Sequence, residues 1–347
     1  MFGARLGEPA MQRMMTLTEA FTGSALGSRA LQLGVHYEAL LRSNQHAMLE
    51  YVRATTGLSS RHLRWERSER LAREQLAPGR RVGLPGTPHV FWHGPSSVSG
   101  ERPVLMLVNG WTASGLMWPR QMIDALERRF DVIRIDNRGS GYSRTAPAPF
   151  TVSDLADDVV DVMNTVGAAS ATLLGLSMGG MIAQEVAMRH PRRVDRLVLC
   201  GTRPPAPAGF LPTAAVLGKA MAAPHRGESM PDYFTRLWGG VVAPGFAQQH
   251  PEVMREIVET VLRRPTPQSG VMSQLRALSS WYGTARLRRL DIPTTVIHGT
   301  VDPLIPVGNG MRLAQLIPGA VYRELPGVGH VVPFEAPDVV VEAALGR

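Results

Sequence analysis

A single cysteine, Cys200, and a single lysine, Lys219, stand in a chain of 347 residues. One thiol excludes an internal disulfide. Cys200 closes an apolar run that begins at Val194, so it reads as a buried structural thiol. With lysine almost absent, the net charge of +8 comes from arginine. Those arginines are scattered, with no aromatic-interleaved patch and no known nucleic-acid module, so nucleic acid is not an expected partner. No apolar stretch reaches membrane-spanning length, and the N-terminal residues lack the continuous apolar segment of a secretory signal. A cytoplasmic protein is the expectation. No pair of histidines has metal-ligand spacing on one face, and neither metal nor cofactor is expected.

What is present is patterned in three ways. Apolar residues make up 44% of the chain, enough for a sizeable core. Residues 1–80 read as a helical N-terminal extension. Leu33, Tyr37, Leu40, Leu41, Met48, Tyr51 and Val52 recur at helical spacing, and a second helix is expected over 60–76 with Glu66–Arg70 and Glu69–Arg73 pairs. Residues 81–202 and 290–347 alternate short apolar strands with helices, the signature of an α/β fold with a mostly parallel central sheet and helices on both faces. Strands are expected at 89–92, 104–108, 132–135, 172–176, 194–200, 293–298 and 321–325. Helices are expected at 117–129, 152–166, 308–317 and 337–345. Residues 203–289 interrupt the alternation, are rich in Pro, Met and Trp, and read as a helical lid or cap with helices at 232–238, 251–263 and 268–282.

The stretch with the clearest chemistry is Leu173-Leu174-Gly175-Leu176-Ser177-Met178-Gly179-Gly180. A chain that leaves a strand and enters a helix within four residues must turn sharply, which strains the central residue and presents its side chain. Gly175 and Gly179 allow neighbouring backbone to approach that turn. A serine hydroxyl is a poor nucleophile at neutral pH without a base within reach, and the base needs an acidic partner. His330, in Pro326-Gly327-Val328-Gly329-His330, and Asp302, in His298-Gly299-Thr300-Val301-Asp302-Pro303, each follow a strand. In a parallel sheet such loops gather at the carboxyl edge, where ligands bind. Asp136 also follows a strand, but Asp136-Asn137-Arg138-Gly139-Ser140-Gly141 reads as a loop pinned by its own hydrogen bonds. His298 reads as a buried histidine. Negative charge on a tetrahedral intermediate needs two N–H donors, and the backbone amides of Met178 and Trp111 are the expected pair.

From about residue 82 onward the chain resembles the α/β-hydrolase superfamily. The likeness rests on Gly175-Leu176-Ser177-Met178-Gly179-Gly180, on Asp136-Asn137-Arg138-Gly139-Ser140-Gly141-Tyr142-Ser143, on Asp302 and on Gly329-His330. A narrower likeness, to intracellular medium-chain polyhydroxyalkanoate depolymerases, rests on Asn109-Gly110, Asp302-Pro303-Leu304-Ile305-Pro306 and Trp238-Gly239-Gly240. The chain departs from the superfamily at Asn109, where histidine is usual, and from those depolymerases at Met178, where a bulkier aromatic is usual. The resemblance implies a Ser177–His330–Asp302 serine hydrolase acting on a small or polymeric carboxylic ester, with no cofactor. Lactonase, cofactor-free perhydrolase, carbon–carbon bond hydrolase, intracellular polyhydroxyalkanoate depolymerase and non-catalytic scaffold of the same fold are the alternatives. Oligomeric state is not legible.

Overall fold

The computed structural model describes residues 80–82, 90–143 and 149–347. The helices expected before residue 77 lie outside the described residues. Eight strands form one sheet in the order β1-β2-β4-β3-β5-β6-β7-β8. They are β1 Arg80–Val82, β2 Val90–His93, β3 Val104–Val108, β4 Asp131–Asp136, β5 Ala171–Leu176, β6 Val194–Cys200, β7 Thr294–Gly299 and β8 Val321–Leu325. β1 pairs antiparallel with β2, and β2 antiparallel with β4, while the remaining pairings are parallel.

Period-2 alternation sends successive side chains to opposite faces. Val104, Met106 and Val108 of β3 join one apolar cluster, whereas Leu105 and Leu107 join the other. β6 divides likewise, with Leu197 and Leu199 in the first cluster and Val198 and Cys200 in the second. The first cluster is closed by helices α2 Val152–Val166 and α3 Met178–Arg189, the second in part by α1 Arg120–Glu127. Fully burying a side chain of this size contributes about 1.5–3 kcal/mol, so among the described residues this doubly covered sheet is a main source of stability. Cys200 is fully buried, and burial pushes its thiol up to about 12. It is a core side chain.

Local sequence sets the helix ends. α2 opens with a capping box, Thr151 Oγ1 accepting from the Asp154 amide at 3.2 Å while Asp154 Oδ2 accepts from the Thr151 amide at 2.7 Å. It ends at Gly167 in the left-handed region, φ 79°. α1 begins at Arg120 instead of the expected 117 because Pro119 caps it and holds Trp118 out of helical geometry.

Between β6 and β7 the chain inserts five helices, α4 Ala214–Ala220, α5 Met230–Gly239, α6 Phe246–Gln249, α7 Pro251–Arg263 and α8 Gln268–Ser279. α8 stops at Ser279, short of the expected 282. The next residues are drawn into extended pairing, with the Trp281 carbonyl accepting from the Ala206 amide at 3.1 Å and Tyr282 bridging Ala206. α9 Gly308–Leu316, α10 Val332–Glu335 and α11 Pro337–Ala344 complete the chain. No helix among the described residues is long and apolar enough to cross a membrane.

Register positions the functional loops. Val108 pairs with Ile135 and Gly175, Leu176 with Cys200, Cys200 with Ile297, and Gly299 with Leu325. The parallel strands therefore end nearly level. β3 lies between β4 and β5, so the strand order reverses there, the place where open α/β sheets bind ligands.

Candidate active site

Ser177 caps α3 at φ 55°, ψ −117°. Among the described residues only Thr112, at φ 65°, shares a positive φ without being glycine. Such a conformation costs about 1–3 kcal/mol and persists only where its surroundings enforce it. Here the Ser177 amide donates to the Cys200 carbonyl at 2.9 Å, and the Ser177 carbonyl accepts from Thr202 Oγ1 at 2.7 Å. The glycines are steric requirements. A Cβ on Gly179 would lie 1.8 Å from the Val108 carbonyl oxygen, and one on Gly175 would lie 2.4 Å from that of Gly179.

His330 and Asp302 come together beside this turn. His330 Nδ1 lies 2.8 Å from Asp302 Oδ2, and both side chains are buried. Asp302 Oδ1 accepts from the Leu304 and Ile305 amides at 2.8 Å each, which fixes the carboxylate. Burial alone would raise this carboxyl. The charge of His330 and hydrogen bonds from His298 and His330 outweigh it and hold Asp302 well below the usual carboxylate range. With Nδ1 facing a carboxylate, the proton belongs on Nδ1 and the lone pair on Nε2.

Gly201 joins the serine turn to this pair. It follows Cys200, which holds the Ser177 amide, and a Cβ on it would lie 3.4 Å from both His330 Nδ1 and Asp302 Oδ2. No hydrogen bond joins Ser177 Oγ to the His330 ring among the described residues.

The rival side chains are engaged elsewhere. Asp136 accepts from the Gly115 amide at 2.6 Å and the Tyr142 amide at 2.7 Å, with His93 Nε2 at 3.3 Å. It ties β2 to the loops after β3 and β4, the pinning role its motif suggests. His298 is fully buried, with Nε2 donating to the Ile305 carbonyl at 2.9 Å and lying 3.3 Å from Asp302 Oδ2. It braces the acid, while its Nδ1 has no partner among the described residues.

The loop after β3 runs against the serine. A Cβ on Gly110 would lie 3.3 Å from Ser177 Cβ and 3.9 Å from its Oγ. Asn109 folds back to organise this loop, Nδ2 donating to the Ser114 and Met117 carbonyls at 2.9 Å each and Oδ1 accepting from the Gly110 amide at 2.8 Å. Neither the Trp111 amide nor the Met178 amide has a hydrogen-bond acceptor among the described residues. The Met178 amide is in the first turn of α3, where intrahelical partners are lacking. The Met178 side chain itself is fully buried in the core.

Two residues carry no motif yet organise the site. Glu335 brackets His330, accepting from the Gly329 amide at 2.8 Å, the Ala243 amide at 2.9 Å and the Val331 amide at 3.1 Å. Fully buried Gln274 of α8 accepts from the Thr112 amide at 2.9 Å and donates to the Arg138 carbonyl at 2.8 Å. Glutamate five residues past a candidate base is a weak cue for the first, and nothing in its helix marks the second. Among the described residues, no group of three histidine, cysteine or carboxylate side chains could hold a metal ion.

Comparison with known proteins gives the family of the fold. A profile described as the alpha/beta hydrolase fold matches residues 103–337. The chain is 27% identical over 255 residues to 3-oxoadipate enol-lactonase 2 of Acinetobacter baylyi, covering 71% of this chain and 90% of that protein. It is 31% identical over 217 residues to a poly(3-hydroxyalkanoate) depolymerase of Ectopseudomonas oleovorans, covering 62% of this chain and 74% of the other. The crystal structure of the enol-lactonase from Burkholderia xenovorans LB400 superposes with a TM-score of 0.65 at 27% identity, over 77% of this chain and 98% of that one.

Proposed function

The chain belongs to the alpha/beta hydrolase fold family, and from that premise we propose that it is a serine hydrolase that cleaves carboxylic esters through an acyl-enzyme on Ser177. The observation that carries the reading is the His330–Asp302 pair at 2.8 Å, packed through Gly201 against the segment that holds the strained Ser177 turn.

Ser177 Oγ attacks the substrate carbonyl carbon while His330 Nε2 takes its proton. Asp302 holds Nδ1–H and stabilises the imidazolium that forms. The Trp111 and Met178 amides donate to the developing oxyanion. Collapse of the tetrahedral intermediate expels the alkoxide, which takes the proton back from Nε2. Water, deprotonated by the same nitrogen, then attacks the acyl carbonyl and releases the acid and the serine. Ser177 Oγ and His330 Nε2 must come into hydrogen-bond geometry for the first transfer, because no hydrogen bond joins them here. The helices of 203–289 serve as a lid, with Trp238, Val241 and Phe246 packed on the second core cluster beneath them.

Likeness to enol-lactonases favours one second reading, in which the ester is a ring and the alkoxide stays tethered. The chemistry at Ser177 is the same. A p-nitrophenyl ester series of rising acyl length, run beside a series of lactones, tests both. Turnover of the open esters, with kcat/KM peaking at one chain length, is expected. Turnover of lactones with the open esters untouched would replace the first reading by the second, and inertness toward both would overturn it.

A further inference from the structure

Gly110–Ala113 is a four-residue turn closed by the Ala113 amide donating to the Gly110 carbonyl at 3.3 Å. Its third residue, Thr112, has φ 65°, a position that glycine normally fills in turns of this kind. Threonine is β-branched and poorly suited to that region, so something outside the turn must hold it. Every hold comes from the helical insertion. The Thr112 amide donates to Gln274 Oε1 at 2.9 Å, and the Thr112 carbonyl accepts from Thr266 Oγ1 at 2.7 Å. The neighbouring Trp111 indole donates to the Val271 carbonyl at 3.0 Å. Both peptide planes flanking Thr112 are therefore fixed by residues 266–274, and one of them carries the backbone on from Trp111.

Gln274 is the buried element of this clamp. Its amide orientation is set by its partners, since the Thr112 N–H can only donate and the Arg138 carbonyl can only accept. It thereby bridges the loop after β3 to the loop after β4. Arg138 is itself anchored to Asp158 of α2, with Nη2 to Oδ1 at 2.9 Å. The two loops and the insertion are locked through one side chain.

We propose that Gln274 is a positioning residue for the oxyanion hole: it holds the left-handed Thr112 turn that aims the Trp111 amide, so seating of the insertion completes the catalytic site. The inference rests on the function proposed above. Gln274 touches neither substrate nor reacting atoms, and its effect passes through Thr112.

Three variants and one control test it. Gln274→Met keeps the length and apolar bulk but removes both hydrogen bonds. Loss of a complete oxyanion donor lowers turnover about 10²–10³-fold, and misaiming one should lower kcat by about 10–100-fold. KM should stay within about threefold, because a ground-state carbonyl gains little from the hole. Gln274→Glu retains an acceptor for the Thr112 amide and, as the neutral acid that full burial favours, a donor for the Arg138 carbonyl, and should keep kcat within about fivefold of wild type. Thr112→Gly in the Gln274→Met background lets the turn adopt its positive φ unaided and should recover much of the lost kcat. Thermal unfolding of each variant separates a folding defect from a catalytic one.

Wild-type kcat in Gln274→Met, or a Gln274→Glu variant as slow as Gln274→Met, would overturn the inference. So would a defect in Gln274→Met that Thr112→Gly leaves untouched. If Gln274→Met does not fold, Gln274→Glu decides alone, with retained kcat in favour and a loss beyond about 100-fold against. Wild-type protein that hydrolyses no ester or lactone would remove the proposed function and this inference together. Active wild type with an insensitive Gln274 removes the inference only.

Discussion

Ser177→Ala is expected to lower kcat by about 10⁴–10⁶-fold with KM nearly unchanged, and His330→Ala to do nearly the same. The two act as a unit, so the double variant should be little worse than either single one. On the proposed mechanism the residual rate would come from binding and from the amides of Trp111 and Met178, which neither substitution touches. Folding should survive both changes. The Ser177 turn is held by backbone contacts to Cys200 and Thr202 that do not involve its hydroxyl. Steady-state kinetics on a p-nitrophenyl ester, with thermal unfolding as control, reads this out. A Ser177→Ala enzyme within tenfold of wild type would mean that the nucleophile is elsewhere.

The second large effect separates Asp302 from Asp136. Asp302→Asn should reduce kcat by about 10⁴-fold, because an amide can present N–H to His330 Nδ1 and favour the wrong tautomer, taking the lone pair away from Nε2. Asp136→Asn should act on stability. Both Asp136 oxygens accept backbone amides in a fully buried site, and an asparagine there turns an NH₂ group toward one of those donors. Leaving a buried donor unsatisfied costs about 1–3 kcal/mol. The melting temperature of Asp136→Asn should fall while its kcat, per folded molecule, stays within about tenfold of wild type. Kinetics and calorimetry on the two variants distinguish the roles, and the reverse pattern would assign the acid to Asp136.

The parallel sheet was legible because β3 is an unbroken apolar run and β5, β6 and β7 each carry a buried apolar stretch, at residues 173–174, 197–200 and 296–297. Ser177 and Asp302 lie just past β5 and β7, and His330 just past the part-exposed β8, where spacing alone suggests that they gather at one edge. The pairing of His330 with Asp302 is visible in the structure. What stayed hidden depends on contacts between distant segments. Gln274 and Glu335 hold backbone groups contributed by other loops, and a backbone partner leaves no trace in residue type. Asn109 was legible as a departure from the usual histidine, but not as the side chain that ties down Gly110, Ser114 and Met117. Helix ends shifted where tertiary pairing or a proline intervened, at Pro119 and at Trp281. Three-residue β1 and the short helices α4, α6 and α10 carry too few positions for a period to emerge.

Labelling with a fluorophosphonate, followed by peptide mapping, bears most directly on the chemistry proposed for Ser177. The reagent phosphylates a serine only when a neighbouring base activates it, and its adduct occupies the oxyanion site as a tetrahedral centre. The prediction is one adduct per chain, on Ser177, formed rapidly in the wild type, at least about 10²-fold more slowly in His330→Ala, and absent from Ser177→Ala. Adduct on another residue, or equal labelling rates with and without the His330 imidazole, would contradict it.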